Sequence, residues 1–165
     1  MHKFLVVLVV FLVSVSCKEK KDETGGEDAS RYEIVTDKWP KKLAVDPKAE
    51  AILKQWPEYM AMDVGFDAIY NAANKEDLSL TIEDLINEQK LLEDSTYPKE
   101  FDSPQIKSRQ KVFKTYLLKV KGDLVYFLDP ETSVHEMIES YNIMREQFNA
   151  IVNHTLDAKL ILDQE

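Results

Sequence analysis

Three groups of side chains in this sequence have the types that do chemistry: histidines with methionines, a serine beside a histidine, and a row of lysines. His135 and His154 fall on one expected helix, 19 residues apart. At about 1.5 Å of rise per residue they stand roughly 30 Å from each other, too far to share one ion within a monomer. His135 and Glu139 are one turn apart, a weak ligand pair at best, and two surface histidines are the simpler reading. Met60 and Met62, with Met137 and Met144, offer thioether sulfur, a soft ligand suited to copper(I). Met60, Met137 and Met144 lie on apolar stripes, however, where methionine fills core space. A metal centre is therefore not expected; Met60, Met62 and His135 would be the weak alternative. The inward Glu-x-x-His pairs of a di-iron bundle are absent, and so is the Cys-x-x-Cys-His of covalent haem attachment. Ser133 near His135 reads as helix-start capping. No Gly-x-Ser-x-Gly turn presents a nucleophile. A narrow bundle offers no deep cleft for paired carboxylates, so neither catalysis nor a cofactor is expected.

The lysines carry the clearest pattern. Residues 105–122 hold Lys107, Arg109, Lys111, Lys114, Lys119 and Lys121 and no acid. The neighbouring helices are acidic, with Glu83, Asp84, Glu88, Glu93 and Asp94 before and Glu131, Glu136, Glu139 and Glu146 after. Opposite charges that flank helix seams explain this simply. Lys107, Lys114 and Lys121, seven residues apart, together with Lys111 also define an exposed stripe for an anionic glycan or lipid head group. Arg109 and Arg145 sit at or beside seam positions and need a carboxylate if buried. Glu88 and Glu146 are the candidates.

Elements must position these groups. The chain has 165 residues but only four glycines, which favours helices over a sandwich or barrel. Asp46-Pro47 is a cap followed by a first-turn proline. Apolar residues from Ile52 to Ala73 recur every three or four places, and Pro57 interrupts them, predicting pieces over 47–55 and 57–73. Thr81 with Asp84 predicts a start for a helix over 81–94, with Gln89 on its inner face. Ser103-Pro104 predicts a helix over 104–128, with Ile106, Arg109 or Gln110, Phe113, Leu117, Val120, Leu124 and Phe127 inward; Gly122 weakens it by about 1 kcal/mol relative to alanine. Asp129-Pro130 predicts a last helix over 131–158, with residues 159–165 fraying. Ahead of these, residues 32–45 read as an irregular strap held by Trp39 and Leu43, while Trp56 packs at the break. The expected fold is all-α: an up-and-down four-helix bundle with a kinked first helix, spanning residues 32–165.

The N-terminus bears on location. A short cationic start, an apolar run over residues 4–13 and small residues at Ser14 and Ser16 fit an export signal over 1–16, too short to span a bilayer. Cys17, the one cysteine, follows directly. This resembles the lipobox of bacterial lipoproteins, in which that cysteine is acylated and becomes the new N-terminus; Ser14 stands where the usual pattern has leucine. The charged segment after Cys17 is similar to the start of many Bacteroidota-type lipoproteins. The resemblance implies a lipid-modified Cys17, a tether over 17–31 and an outer-membrane lipoprotein, periplasmic or surface-exposed, in the bacterial cell envelope. Two or three acyl chains anchor stably where one does not.

Without residues 1–16, 20 basic residues stand against 30 acidic ones, a net charge of −10, which argues against nucleic acid as a partner. The expected function is a lipid-anchored envelope protein with a non-catalytic binding or scaffolding role, partnered by the membrane through its anchor and by an envelope protein or anionic glycan. The alternative is a periplasmic copper or haem carrier.

Overall fold

Two of the helices begin where a cap residue meets a proline. The carboxylate of Asp46 accepts from the Lys48 N–H at 2.9 Å, and Pro47 takes a position whose amide would be unpaired anyway. Ser103 caps in the same way before Pro104, accepting from the Ile106 N–H at 3.3 Å. The computed structural model describes residues 33–162, with side chains as far as residue 154. The expected signal peptide over 1–16, the lipidation site Cys17 and the tether over 17–31 lie outside the described residues. The described part is all-helical: α1 Pro47–Leu53, α2 Pro57–Asp67 with a 3-10 extension Ala68–Asn71, α3 Lys75–Asp94, α4 Pro104–Val125 and α5 Glu131–Leu162. No strand occurs among the described residues; Glu33 makes one antiparallel bridge with Asn74, and a 3-10 turn follows at Thr36–Lys38. None of the described helices is long and apolar enough to cross a membrane.

Several boundaries differ from the sequence reading. Helix α3 starts six residues before Thr81, because the Asn74 side chain accepts from the Asp77 N–H at 2.8 Å and caps it there. The Thr81 hydroxyl instead donates to the Asp77 carbonyl, inside the helix. Helix α4 ends at Val125 rather than 128, and α5 runs to Leu162, so residues 159–162 are helical rather than frayed. Phe127, expected inward, is 89% exposed.

Helix α2 packs on α3, α3 on α4, α4 on α5, and α1 on α5. Aromatic rings join them across the interior. Phe66 of α2 stacks on Tyr141 of α5 at 4.0 Å, Phe113 of α4 meets Tyr141 at 5.0 Å, and Tyr59 meets Phe148 edge-on at 5.4 Å. Trp56, 2% exposed in the break between α1 and α2, stacks on Tyr59. Pro57 blocks helix continuation there, since it has no N–H to donate.

The strap over residues 39–46 is held by side chains of α5 rather than by a sheet. Asn142, Arg145 and Asn149 follow the three- and four-residue spacing of one helix face. Asn142 accepts from the Leu43 N–H at 2.8 Å and donates to the Lys41 carbonyl at 3.0 Å. Arg145 Nε donates to the Leu43 carbonyl at 2.5 Å, and Asn149 accepts from the Asp46 N–H at 2.6 Å.

Arg145 is buried, and its carboxylate is Asp63 of α2, neither Glu88 nor Glu146. Asp63 also accepts from the Tyr141 hydroxyl at 2.6 Å, and Lys42 of the strap lies 3.3 Å from its other oxygen. The Arg145 guanidinium also donates to the Tyr59 hydroxyl at 2.9 Å. Arg109, one position from the seam, is exposed, and Gln110 takes the inward place. Helix phase near a seam is finer than one residue, so the sequence did not separate the two.

Burial pushes the Tyr59 hydroxyl up to about 12, and burial holds Tyr141 well above the ordinary tyrosine value as well. Below pH 10 both forms of the chain keep the Tyr59 proton, and its contribution to stability is complete. Between 10 and about 12 the unfolded chain loses that proton while the folded chain keeps it, so stability falls as pH rises. One such group contributes a slope of about 1.4 kcal/mol per pH unit. Urea midpoints measured from pH 9 to 11.5 should fall more steeply for the native chain than for Tyr59→Phe.

Candidate functional site

The loop between α3 and α4 builds a concave surface that the lysine stripe meets. Ser95 ends α3, and the Pro98 carbonyl then accepts from the Phe101 and Asp102 N–H groups at 2.8 and 2.9 Å, folding the loop tightly. Phe101 is fully buried against Phe148 at 4.6 Å, which pins the loop to α5. Trp56 fixes the other end, donating from Nε1 to the Ser95 hydroxyl at 2.8 Å and packing on Tyr97 at 4.7 Å.

Between this loop and α4 lies a cleft of about 410 Å³ whose lining includes Glu93, Tyr97, Asp102, Lys107, Gln110 and Lys111. That size falls within the range of small-ligand sites. The loop, rather than the bundle interior, makes the concavity that the sequence reading did not expect. Tyr97 donates its hydroxyl to the Gln110 Oε1, which leaves the Gln110 Nε2 buried with no hydrogen-bond partner. Burial raises the Tyr97 hydroxyl above its ordinary value, which keeps it a donor. Lys107 pairs with Asp102 at 2.5 Å and lies over the Tyr97 ring at 5.0 Å. Lys111 is exposed and has no acidic partner among the described residues. The Lys111 ammonium, without a counter-charge, presents donors to the cleft, while the Gln110 Nε2 is buried in its wall. An anionic or hydroxyl-rich group satisfies those donors, and Glu93 and Asp102 on the rim accept from hydroxyls.

The structure divides the stripe. Lys107 and Lys111 reach this cleft. Lys114 pairs with Glu93 at 2.5 Å and Lys121 with Glu83 at 3.2 Å, across the α3–α4 seam; Lys119 pairs with Glu136 at 2.5 Å, across α4–α5. The seam reading of the charge sorting accounts for these three pairs.

The residues of the weak metal alternative lie apart in character. Met62 is fully buried and Met60 half-buried, two places apart on α2 and so on different sides of that helix. His135 is half-buried, 3.6 Å from Glu131 on its own helix, beyond hydrogen-bond range. Among the described residues no group of three His, Cys, Asp or Glu is placed to hold a metal ion. Ser133 donates its hydroxyl to the Pro130 carbonyl at 3.0 Å, a local capping contact.

Gln110 and Tyr97 were not singled out by the sequence as site residues. A glutamine on an apolar stripe is the available signal, and Gln89 gives the same one: it is 1% exposed with both amide atoms unpaired. No protein-family model matches this chain, and it has no significant match among curated proteins or solved structures.

Proposed function

We propose that this is a lipid-anchored protein of the bacterial cell envelope, held by acyl chains on Cys17, that binds rather than catalyses. Its ligand is the acidic portion of a glycan, taken in the cleft beside α4. The observation that carries this reading is the convergence of Lys107 and the unpaired Lys111 on that cleft, beside the Tyr97 ring. The described helices form an up-and-down four-helix bundle in this reading, with α1 and α2 as one first rod interrupted at residues 54–56. The sequential packing of α2, α3, α4 and α5, and of α1 back on α5, supports that arrangement.

Calorimetric titration of the full-length protein with a tetrasaccharide of galacturonic acid, and with its neutral galactose counterpart, tests the site. The acidic sugar should bind, and the neutral one should bind at least tenfold more weakly. Lys111→Glu should weaken binding of the acidic sugar tenfold or more, while Lys121→Glu, in the seam, should leave it within twofold. Equal binding of both sugars, or no heat with either, rejects the proposal. The mass of the exported chain tests the anchor separately: an unmodified Cys17 thiol rejects it.

A further inference from the structure

The end of α4 breaks a rule of helix termination. Leu128 N–H bonds to the Asp123 carbonyl at 2.8 Å and Phe127 N–H to the Leu124 carbonyl at 3.2 Å, the two reversed bonds of a Schellman motif. The residue after the cap then adopts a left-handed backbone, and glycine is the usual choice because it has no Cβ to clash. Here that residue is Phe127, with φ 56°. Its side chain gains nothing from the interior, for it is 89% exposed. Its neighbours Val125, Tyr126 and Leu128 are 55%, 76% and 54% exposed. Elsewhere the large exposed apolar residues, such as Val64, Leu80 and Leu91, stand singly in sequence, as is ordinary for a surface.

The position of this tip gives it a partner. Asp129 and Pro130, which follow Leu128 directly, share a cleft with Glu33, Val35 and Lys38, at the start of the described chain. Glu33, where the described residues begin, therefore lies at the end of the helical unit that carries the tip. Sixteen residue steps separate Cys17 from Glu33, a reach of roughly 55 Å when fully extended. Aromatic and aliphatic side chains with polar neighbours suit the interfacial layer of a bilayer.

We infer that residues 125–128 dip into the interfacial region of a lipid bilayer, with Phe127 as the deepest group, as a second contact that orients the helical unit on its membrane. This rests on the lipid-anchor reading for its source of membrane. Asp123, Asp129 and Glu131 flank the tip, and Lys38 and Lys75 share the cleft with Asp129 and Glu131, so charges of both signs surround it and a zwitterionic bilayer is the surface it fits.

The native tryptophans are buried, Trp39 at 5% and Trp56 at 2%, so Phe127→Trp creates a distinct reporter. The full chain, as exported, is placed in phosphatidylcholine and phosphatidylethanolamine vesicles with or without bromine on the acyl chains. The emission that Phe127→Trp adds over the native chain should fall at least twofold in brominated vesicles, and that added by Val64→Trp should not change. Phe127→Gly should raise the denaturation midpoint, since it relieves the left-handed backbone, yet remove the tip's contact. In the acyl-free Cys17→Ser chain, vesicle partitioning should drop at least fivefold on adding Phe127→Gly. Unchanged emission of an anchored Phe127→Trp protein overturns the inference while leaving the anchor reading intact. An exported chain that carries no acyl mass removes the anchor reading, and the Cys17→Ser pair then still decides the tip. Dimerisation in solution abolished by Phe127→Gly, without quenching in vesicles, assigns the tip to a second copy of the chain and also overturns it.

Discussion

Asp63→Ala is expected to destabilise the protein by about 3 kcal/mol or more, because it strands a buried cation. Arg145 has a side chain only 7% exposed, and Asp63 is its carboxylate. The same carboxylate accepts from Tyr141 and lies beside Lys42, so its loss frees groups on α5 and the strap together. The guanidinium keeps the Leu43 carbonyl and the Tyr59 hydroxyl, which satisfy hydrogen bonds but not charge. Asp63→Asn, which keeps an acceptor without the charge, should fall between the native chain and Asp63→Ala. Adding Arg145→Met to Asp63→Ala should recover part of the loss, since no uncompensated charge is then buried. Urea denaturation of the four proteins measures this. A loss under about 1 kcal/mol for Asp63→Ala would mean that water reaches the guanidinium, and that the pair does not tie α2 to α5.

The other large effect is expected at Phe66. Phe66→Ala should cost about 3–5 kcal/mol, the range for removing a buried ring that the surroundings cannot fill. Phe66 is fully buried and stacks on Tyr141 at 4.0 Å, with Phe113 at 6.0 Å and Tyr70 at 6.2 Å. It therefore joins α2, α4, α5 and the 3-10 extension at one point. Domains of this size are stable by about 5–15 kcal/mol, so the variant should be marginal and its thermal midpoint should drop by many degrees. Phe66→Leu, which leaves a smaller void, should lose less than half as much. Similar midpoints for Phe66→Ala and the native chain would show that the ring cluster is not where the helices are held.

The starts of α1, α2 and α4 were legible because a cap or a proline acts within its own turn. Asp46-Pro47, Pro57 and Ser103-Pro104 each mark a start that no distant residue alters. The start of α3 was as local as these, at Asn74 with Asp77, but the stronger-looking Thr81 and Asp84 pair drew the boundary inward. The end of α4 was not legible. Its apolar spacing runs through Phe127, and nothing nearby announces a left-handed aromatic. In the candidate site, Lys107 and Lys111 stood out as cations without neighbouring acids, while Tyr97 and Gln110 meet only because the loop folds back on α4.

The amino-acid order alone fixed the all-helical class of the described residues, their apolar faces and most helix starts, since these depend on contacts a few residues apart. The folded arrangement decided which acid neutralises Arg145, which lysines remain unpaired, which amides lack partners and where Phe127 points. Those outcomes depend on how one helix is rotated and shifted against another. That register is set by the packing of whole faces, Phe66 on Tyr141 and Phe113 among them, and no short stretch of residues encodes it.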